Sequence, residues 1–273
     1  MGTKWYLFAK FFGQLSAAEL MEMCARMGFD GPTALIRDGY WTELSNMKDT
    51  LPGYVAEAEK HGLEVRYADT EIDVMSAEAD EQYRILAGEG IKRIRLKYVG
   101  RDNERDPRLL ADIGRRWAEK ACELGEKHDV LSVIQIHGWY YPHCATAAWP
   151  MVKGLDPRYV GIKMDPGNNQ HQEGYEFAAY QVNLLQEYIA AVGAKDAAYL
   201  RTGEGGDDKG WERHFMPAFA GRTNFVELYG LLKKVGFSGP NVLMPFYNDT
   251  NLPLLTENLQ KELDYLKSCW DKA

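Results

Sequence analysis

The sequence is poor in features that would tie it to several large classes of protein. Its four cysteines, Cys24, Cys122, Cys144 and Cys269, are far apart and form no CxxC pair. That argues against a disulfide framework or a paired-cysteine zinc site. Cys24 and Cys122 fall in apolar helical patterns and read as small buried residues. No apolar run approaches the roughly 20 residues that a membrane-spanning helix needs. No GxGxxG follows a strand-like segment, and there is no Walker loop, nucleophile elbow or HExxH, so the usual dinucleotide, nucleotide and hydrolase signatures are missing. Lys and Arg number 32 against 40 Asp and Glu, for a net charge of −8. This balance argues against nucleic acid as the main partner. No signal-peptide pattern opens the chain, so a cytoplasmic location is expected, with an export signal removed upstream as the alternative.

What is present is regular alternation. Strand-like segments lie at Trp5 to Ala9, Ala34 to Arg37, Leu63 to Asp69, Lys92 to Tyr98, Leu131 to Gly138, Tyr159 to Asn168, Ile189 to Asp196 and Asn241 to Phe246. Helical patterns separate them, with recognisable ends. Ser16 and Glu19 form a capping box, Leu51-Pro52 and Asp106-Pro107 open helices, and Asn224 with Glu227 opens another. Eight βα units in 273 residues, with no composition break, imply one parallel α/β domain over 1–273. Its length suits a closed (β/α)8 TIM barrel, typically about 250 residues. One connection is too long for a βα loop of about 2–6 residues. Residues 199–223 are rich in Gly, Asp and aromatics, including Gly203 to Asp208 and Trp211, and are expected to form a lid or a dimer contact.

In such barrels the active site lies where the strands end at their C-terminal side. Side chains alternate along a strand, so Gln135 and His137 share one face, as do Lys163 and Asp165 on the next segment. With Arg37, Arg95, Lys97 and Lys195 these ends make the expected mouth cationic although the chain is acidic. A carboxylate, a phosphate or a developing enolate would suit it. The alternative for each base is a buried network with Asp165, Asp69 or Glu71. His137 is the histidine at a strand end and so the candidate acid/base, or else a satisfied core residue. Asp165, before Pro166-Gly167-Asn168, could be a ligand, a base or the start of the loop.

Several stretches resemble the xylose isomerase-like TIM barrels, the sugar phosphate isomerase/epimerase superfamily. They are Gln135-Ile136-His137-Gly138, Asp156 to Gly161 leading into Asp165-Pro166-Gly167-Asn168, Glu173-Gly174, Val192 to Asp196, and Leu232 to Gly239. The resemblance implies the barrel and, in its usual form, a divalent metal held by Glu, Asp, His and Glu from strands five to eight. Carried over, those positions fall on Gln135, Asp165, Gly193 and Met244 or Pro245, so only Asp165 keeps its type. A manganese or magnesium ion held by Asp165 with Gln135, His137 or His171 stays open, whereas the two-glutamate chemistry does not carry over.

These readings converge on a small, sugar-like and anionic ligand. The leading expectation is an isomerase- or epimerase-like protein of carbohydrate metabolism, with a lyase as variant, moving a proton next to a carbonyl. His137, Asp165, Lys195 and Lys163 would be catalytic. Arg37, Arg95, Lys97, Gln135, Asn168 and Trp211 would bind the ligand. The rival is a non-catalytic sugar- or partner-binding barrel that has lost its metal centre, and a homo-oligomer fits either. DNA repair by the related endonuclease branch would need a multi-metal cluster and a basic face, which the sequence lacks.

Overall fold

The structure, a computed structural model, describes residues 2–100, 106–171, 176–201, 203, 210–247 and 251–273. Its parallel sheet contains β1 (Trp5–Leu7), β2 (Gly31–Pro32), β3 (Ala34–Ile36), β4 (Tyr67–Thr70), β5 (Arg93–Arg95), β6 (Leu131–Gln135), β7 (Val160–Met164), β8 (Ile189–Ala194) and β11 (Asn241–Leu243). The order is β2-β1-β11-β8-β7-β6-β5-β4-β3. The two ends of that list are halves of one segment, parted at Thr33: β2 pairs with β1 and β3 with β4. The ring therefore closes with eight staves, and the fold is the expected (β/α)8 barrel. Pro32 explains the break, because it has no N–H to continue the ladder.

Around the ring lie α1 (Ala17–Met27), α2 (Met47–Lys60), α3 (Ala79–Gly88), α4 (Pro107–His128), α5 (Ala145–Val152), α6 (Pro166–His171), α7 (Ala178–Leu185), α8 (Phe225–Lys234) and α9 (Leu252–Lys272). The Ser16–Glu19 capping box is present, and Gly28 at φ 81° ends α1 in the left-handed conformation that glycine adopts without strain. Asp106 and Asn224 cap α4 and α8 as their side chains accept N–H bonds from Arg108 and Glu227. The apolar stripes of these helices close on the outer faces of the strands in one continuous core.

Four expectations are corrected. Helix α2 begins at Met47 rather than at Pro52, which sits inside it. The first turn closes on the Asn46 carbonyl, which accepts from the Asp49 and Thr50 N–H groups. The third strand is paired from Tyr67, opposite Arg93, and from Ala68 opposite Ala34, while the Glu64 N–H ahead of it bonds to the Asp30 carbonyl. The sixth barrel strand stops at Met164, and Asn168 lies in α6, because Asp165 turns its carboxylate onto the Asn168 N–H. Residues 199–223 are not a bare loop. The antiparallel strands β9 (Asp196–Arg201) and β10 (Trp211–Met216) pair from Trp211↔Arg201 to Met216↔Asp196. Glu173-Gly174 and Glu204 to Asp208 lie outside the described residues.

Candidate functional site

The strand ends converge on a cavity of about 240 Å³ at the C-terminal mouth. It is lined by Lys10, Arg37, Arg95 and Lys195, by Asp69 and Glu71, by Gln135 and His137, and by Phe8, Tyr98, Trp139, Tyr140, Met244 and Phe246. Four cations thus face two carboxylates, and the surrounding rings lower the local polarity.

Its floor is a connected polar chain. Arg37 pairs with Glu71 at 2.6 Å, and Arg95 approaches the same carboxylate at 3.5 Å. Arg95 is buried. It donates to the Thr70 carbonyl (2.9 Å) and, through Nε, to the Gln135 side-chain oxygen (3.2 Å), and its guanidinium lies 4.1 Å from the Tyr98 ring. That leaves the Gln135 amide nitrogen to donate to Asp165 Oδ2 at 2.6 Å. Lys195 Nζ lies 3.4 Å from the same oxygen and donates to Asn168 Oδ1 at 2.6 Å. Asn168 is held in turn by the Ile136 carbonyl. Every member restrains the next, which suits a site whose geometry must not drift.

Burial sets the protonation of the two groups best placed for chemistry. Desolvation lowers the Lys195 pKa to about 8, against the opposing pull of Asp165. Desolvation, with the charges of Lys195 and Arg95, lowers that of His137 to about 3. A neutral imidazole at that place can accept a proton but has none to give as an imidazolium. Its ring packs against Tyr98 and Tyr140 at 4.9 and 5.0 Å, and those two tyrosines stack on each other.

Of the residues expected at the mouth, Arg37, Arg95, Gln135, His137 and Lys195 line the cavity, and Asp165 and Asn168 hold Lys195 from below. Three stand elsewhere. Lys163 is wholly buried under the floor, 3.5 Å from Asp69, with the rings of Phe8 and Tyr67 beside it. Lys97 follows the end of β5 and turns to Asp73 at 3.4 Å. Trp211 sits half-exposed where β10 begins. From the same strand Phe215 is the residue that reaches the site, stacking on His171 at 4.1 Å and lying 4.6 Å from Lys195 Nζ. The aromatic wall was not singled out from the sequence. Its signal was the run Trp139-Tyr140-Tyr141-Pro142 that follows His137-Gly138, with Trp139 75% exposed at the cavity rim.

Residues 21–269 match the family described as xylose isomerase-like TIM barrel. The chain belongs to that family. No curated protein matches it. Among solved structures it is similar to a xylose isomerase-like TIM barrel protein from Mycobacterium smegmatis in complex with magnesium, at 15% identity and TM-score 0.71, covering 98% of this chain and 97% of the other. It is also similar to 3-keto-D-glucoside 4-epimerase from E. coli (14%, 0.68, 98% and 100%). A third is the probable 3-DHS dehydratase involved in petrobactin synthesis from Bacillus anthracis (17%, 0.70, 97% and 98%). At these identities the likeness carries the fold.

The described residues do not fit the metal that the family resemblance implies. Asp165 Oδ1 is taken by the Asn168 N–H, and Oδ2 faces the Gln135 amide nitrogen and the Lys195 ammonium. The oxygen of Gln135 is engaged by Arg95. Gly193 offers no side chain, and a Cβ there would lie 3.0 Å from Met244 Sδ, 3.1 Å from Lys163 Cε and 3.3 Å from Asp165 Oδ2. A thioether and a lysine stem fill that space, neither being a donor for a hard divalent ion. Among the described residues no three His, Cys, Asp or Glu side chains come together as a ligand set.

Proposed function

We propose that this barrel acts on a small sugar-like or polyhydroxy acid carrying negative charge, moving a proton next to its carbonyl. The observation that carries the reading is that neutral His137 shares one cavity with the Lys195 ammonium. His137 accepts the proton. Lys195 and Arg95 stabilise the charge that develops on the carbonyl oxygen. Asp165 and Asn168 position Lys195, and Gln135 ties Asp165 to Arg95. The segment 199–223 enters as a lid, since β10 brings Phe215 beside Lys195; a dimer contact is its alternative. No helix among the described residues is long and apolar enough to cross a membrane, and a cytoplasmic role in carbohydrate metabolism belongs to the same reading.

The second reading is a binding barrel without turnover. It is favoured by the weak basicity of His137 and by the carboxylates already paired with Arg37, Arg95 and Lys195. Proton NMR of hydroxy-ketones and 2-oxo acids in deuterium oxide separates the two. Catalysed exchange of the hydrogen next to the carbonyl, lost by about 10²–10⁴ in His137→Ala with the fold intact, supports the enzyme. Saturable binding with no exchange supports the binder.

A further inference from the structure

We propose that Lys195 acts as a nucleophile, its amine condensing with the carbonyl of the ligand to form an imine. This deepens the proton-transfer reading and rests on it. The carbonyl-polarising role given above to the ammonium is then played by the iminium.

The geometry of Lys195 carries the inference. The chain turns there between β8 and β9, the Lys195 N–H bonding back to the Gly193 carbonyl at 3.0 Å, so the side chain leaves a rigid strand end. Its stem lies across Gly167, where a Cβ would come within 2.5 Å of Lys195 Cγ. Only glycine leaves that path open. Nζ emerges between the rings of Phe246 (4.3 Å) and Phe215 (4.6 Å) at the wall of the cavity. Such an apolar collar keeps away the water that would hydrolyse an imine. Lysine amines so placed are the ones that form Schiff bases. An iminium keeps the positive charge of the ammonium, so Asp165 at 3.4 Å and the Asn168 oxygen at 2.6 Å serve it unchanged. The other basic residues are less suited. Lys163 is sealed under the floor against Asp69, Lys10 lies farther from Phe246 (5.3 Å), and arginines form no such bond.

The step balances without an oxidant or a metal. The nitrogen lone pair forms the C–N bond, and the C–O bond breaks. The oxygen leaves as water, with one proton from the amine and one from solvent. The iminium then draws electrons from the neighbouring C–H, whose proton passes to His137. The proton, or one exchanged for it with solvent, then returns to carbon, and hydrolysis of the restored iminium reverses the condensation and frees Lys195.

The test is borohydride trapping on the whole chain with pyruvate and, separately, dihydroxyacetone as carbonyl probes, followed by peptide mass mapping. The same probes are followed for hydrogen exchange in deuterium oxide. The expected result is a reduced adduct on the Lys195 peptide at least tenfold above that on the exposed Lys60, and its absence in Lys195→Arg. Labelling spread over surface lysines with none at Lys195 overturns the imine. If exchange persists in that case, the proton-transfer reading stands with Lys195 as a charge alone; if exchange is also missing, both fail. An adduct without exchange upholds the imine and removes the proton-transfer reading.

Discussion

The two ends of the barrel use the same pair of residue types in opposite ways. At the N-terminal foot, Lys4 contacts Asp30 at 2.8 Å and Glu64 at 3.3 Å, with the lysine side chain 54% exposed. The hydrogen bond to Asp30 raises the Lys4 pKa. At the mouth, Lys195 meets Asp165 at 3.4 Å with both side chains buried, and desolvation lowers its pKa to about 8. In water the partner decides; out of water the loss of hydration outweighs the partner. The foot pair is a surface contact, whereas the mouth pair holds an amine within reach of giving up its proton near physiological pH.

The largest effect should come from breaking the buried side alone. Lys163→Met leaves Asp69 buried with neither carboxylate oxygen in a hydrogen bond, and should cost about 3–5 kcal/mol in denaturant unfolding. Adding Asp69→Leu should recover most of it. A single variant as stable as wild type would show that the pair is not desolvated in solution.

The next test concerns charge at the mouth. Sulfate, whose own charge is constant, should bind more weakly as pH rises through about 8, where Lys195 loses its proton. The expected change is at least tenfold, about 1.4 kcal/mol. Lys195→Arg should hold affinity above that pH, because arginine stays charged. Calorimetry with manganese or magnesium should show no tight one-to-one binding, and an ion lost on Asp165→Asn would reverse the donor argument made above.

The smallest effects belong to the foot. Lys4→Met should change stability by less than about 1 kcal/mol, within the range of exposed ion pairs. Linkage signs differ as well. The Lys195 pKa in the folded chain lies below its unfolded value of about 10.4, so its contribution to stability rises with pH between the two. The Lys4 pKa is raised, so its contribution is full below the unfolded value and is lost as pH climbs through the folded one. Unfolding midpoints of each variant against wild type should show the Lys195 slope between about pH 8 and 10.4 and the opposite slope for Lys4 only above about 10.4.

Much of this architecture was legible in the chain because it is written in local periods. Alternation at strands, the Ser16–Glu19 box, Asp106-Pro107 and the helix end at Val235-Gly236 each depend on neighbours within a turn or two. Gln135, His137 and Arg95 were placed at the mouth by strand parity, and Lys195 by standing at a strand end. Past the last paired residue parity is no guide: His137 reaches the cavity and Lys97 does not. Lys97 lies past the end of β5, and Asn168 lies past Asp165, whose cap bond starts a helix.

The long-range outcomes were not available from sequence. Whether a cation faces the ligand or a buried carboxylate depends on which strand stands opposite, as Lys163 finds Asp69 across the barrel. The lowered pKa values of His137 and Lys195 come first from burial, and one ring against Lys195, Phe215, belongs to a hairpin that composition alone presented as a loop. The loss of the metal position could be suspected from Gly193 and Met244. That Lys163 Cε fills the space beside Asp165 is a matter of packing. Sequence determined the staves and the parity of their side chains, since both follow from backbone geometry. Only the closed barrel decided which charges meet, because pairing and desolvation are properties of the assembled interior.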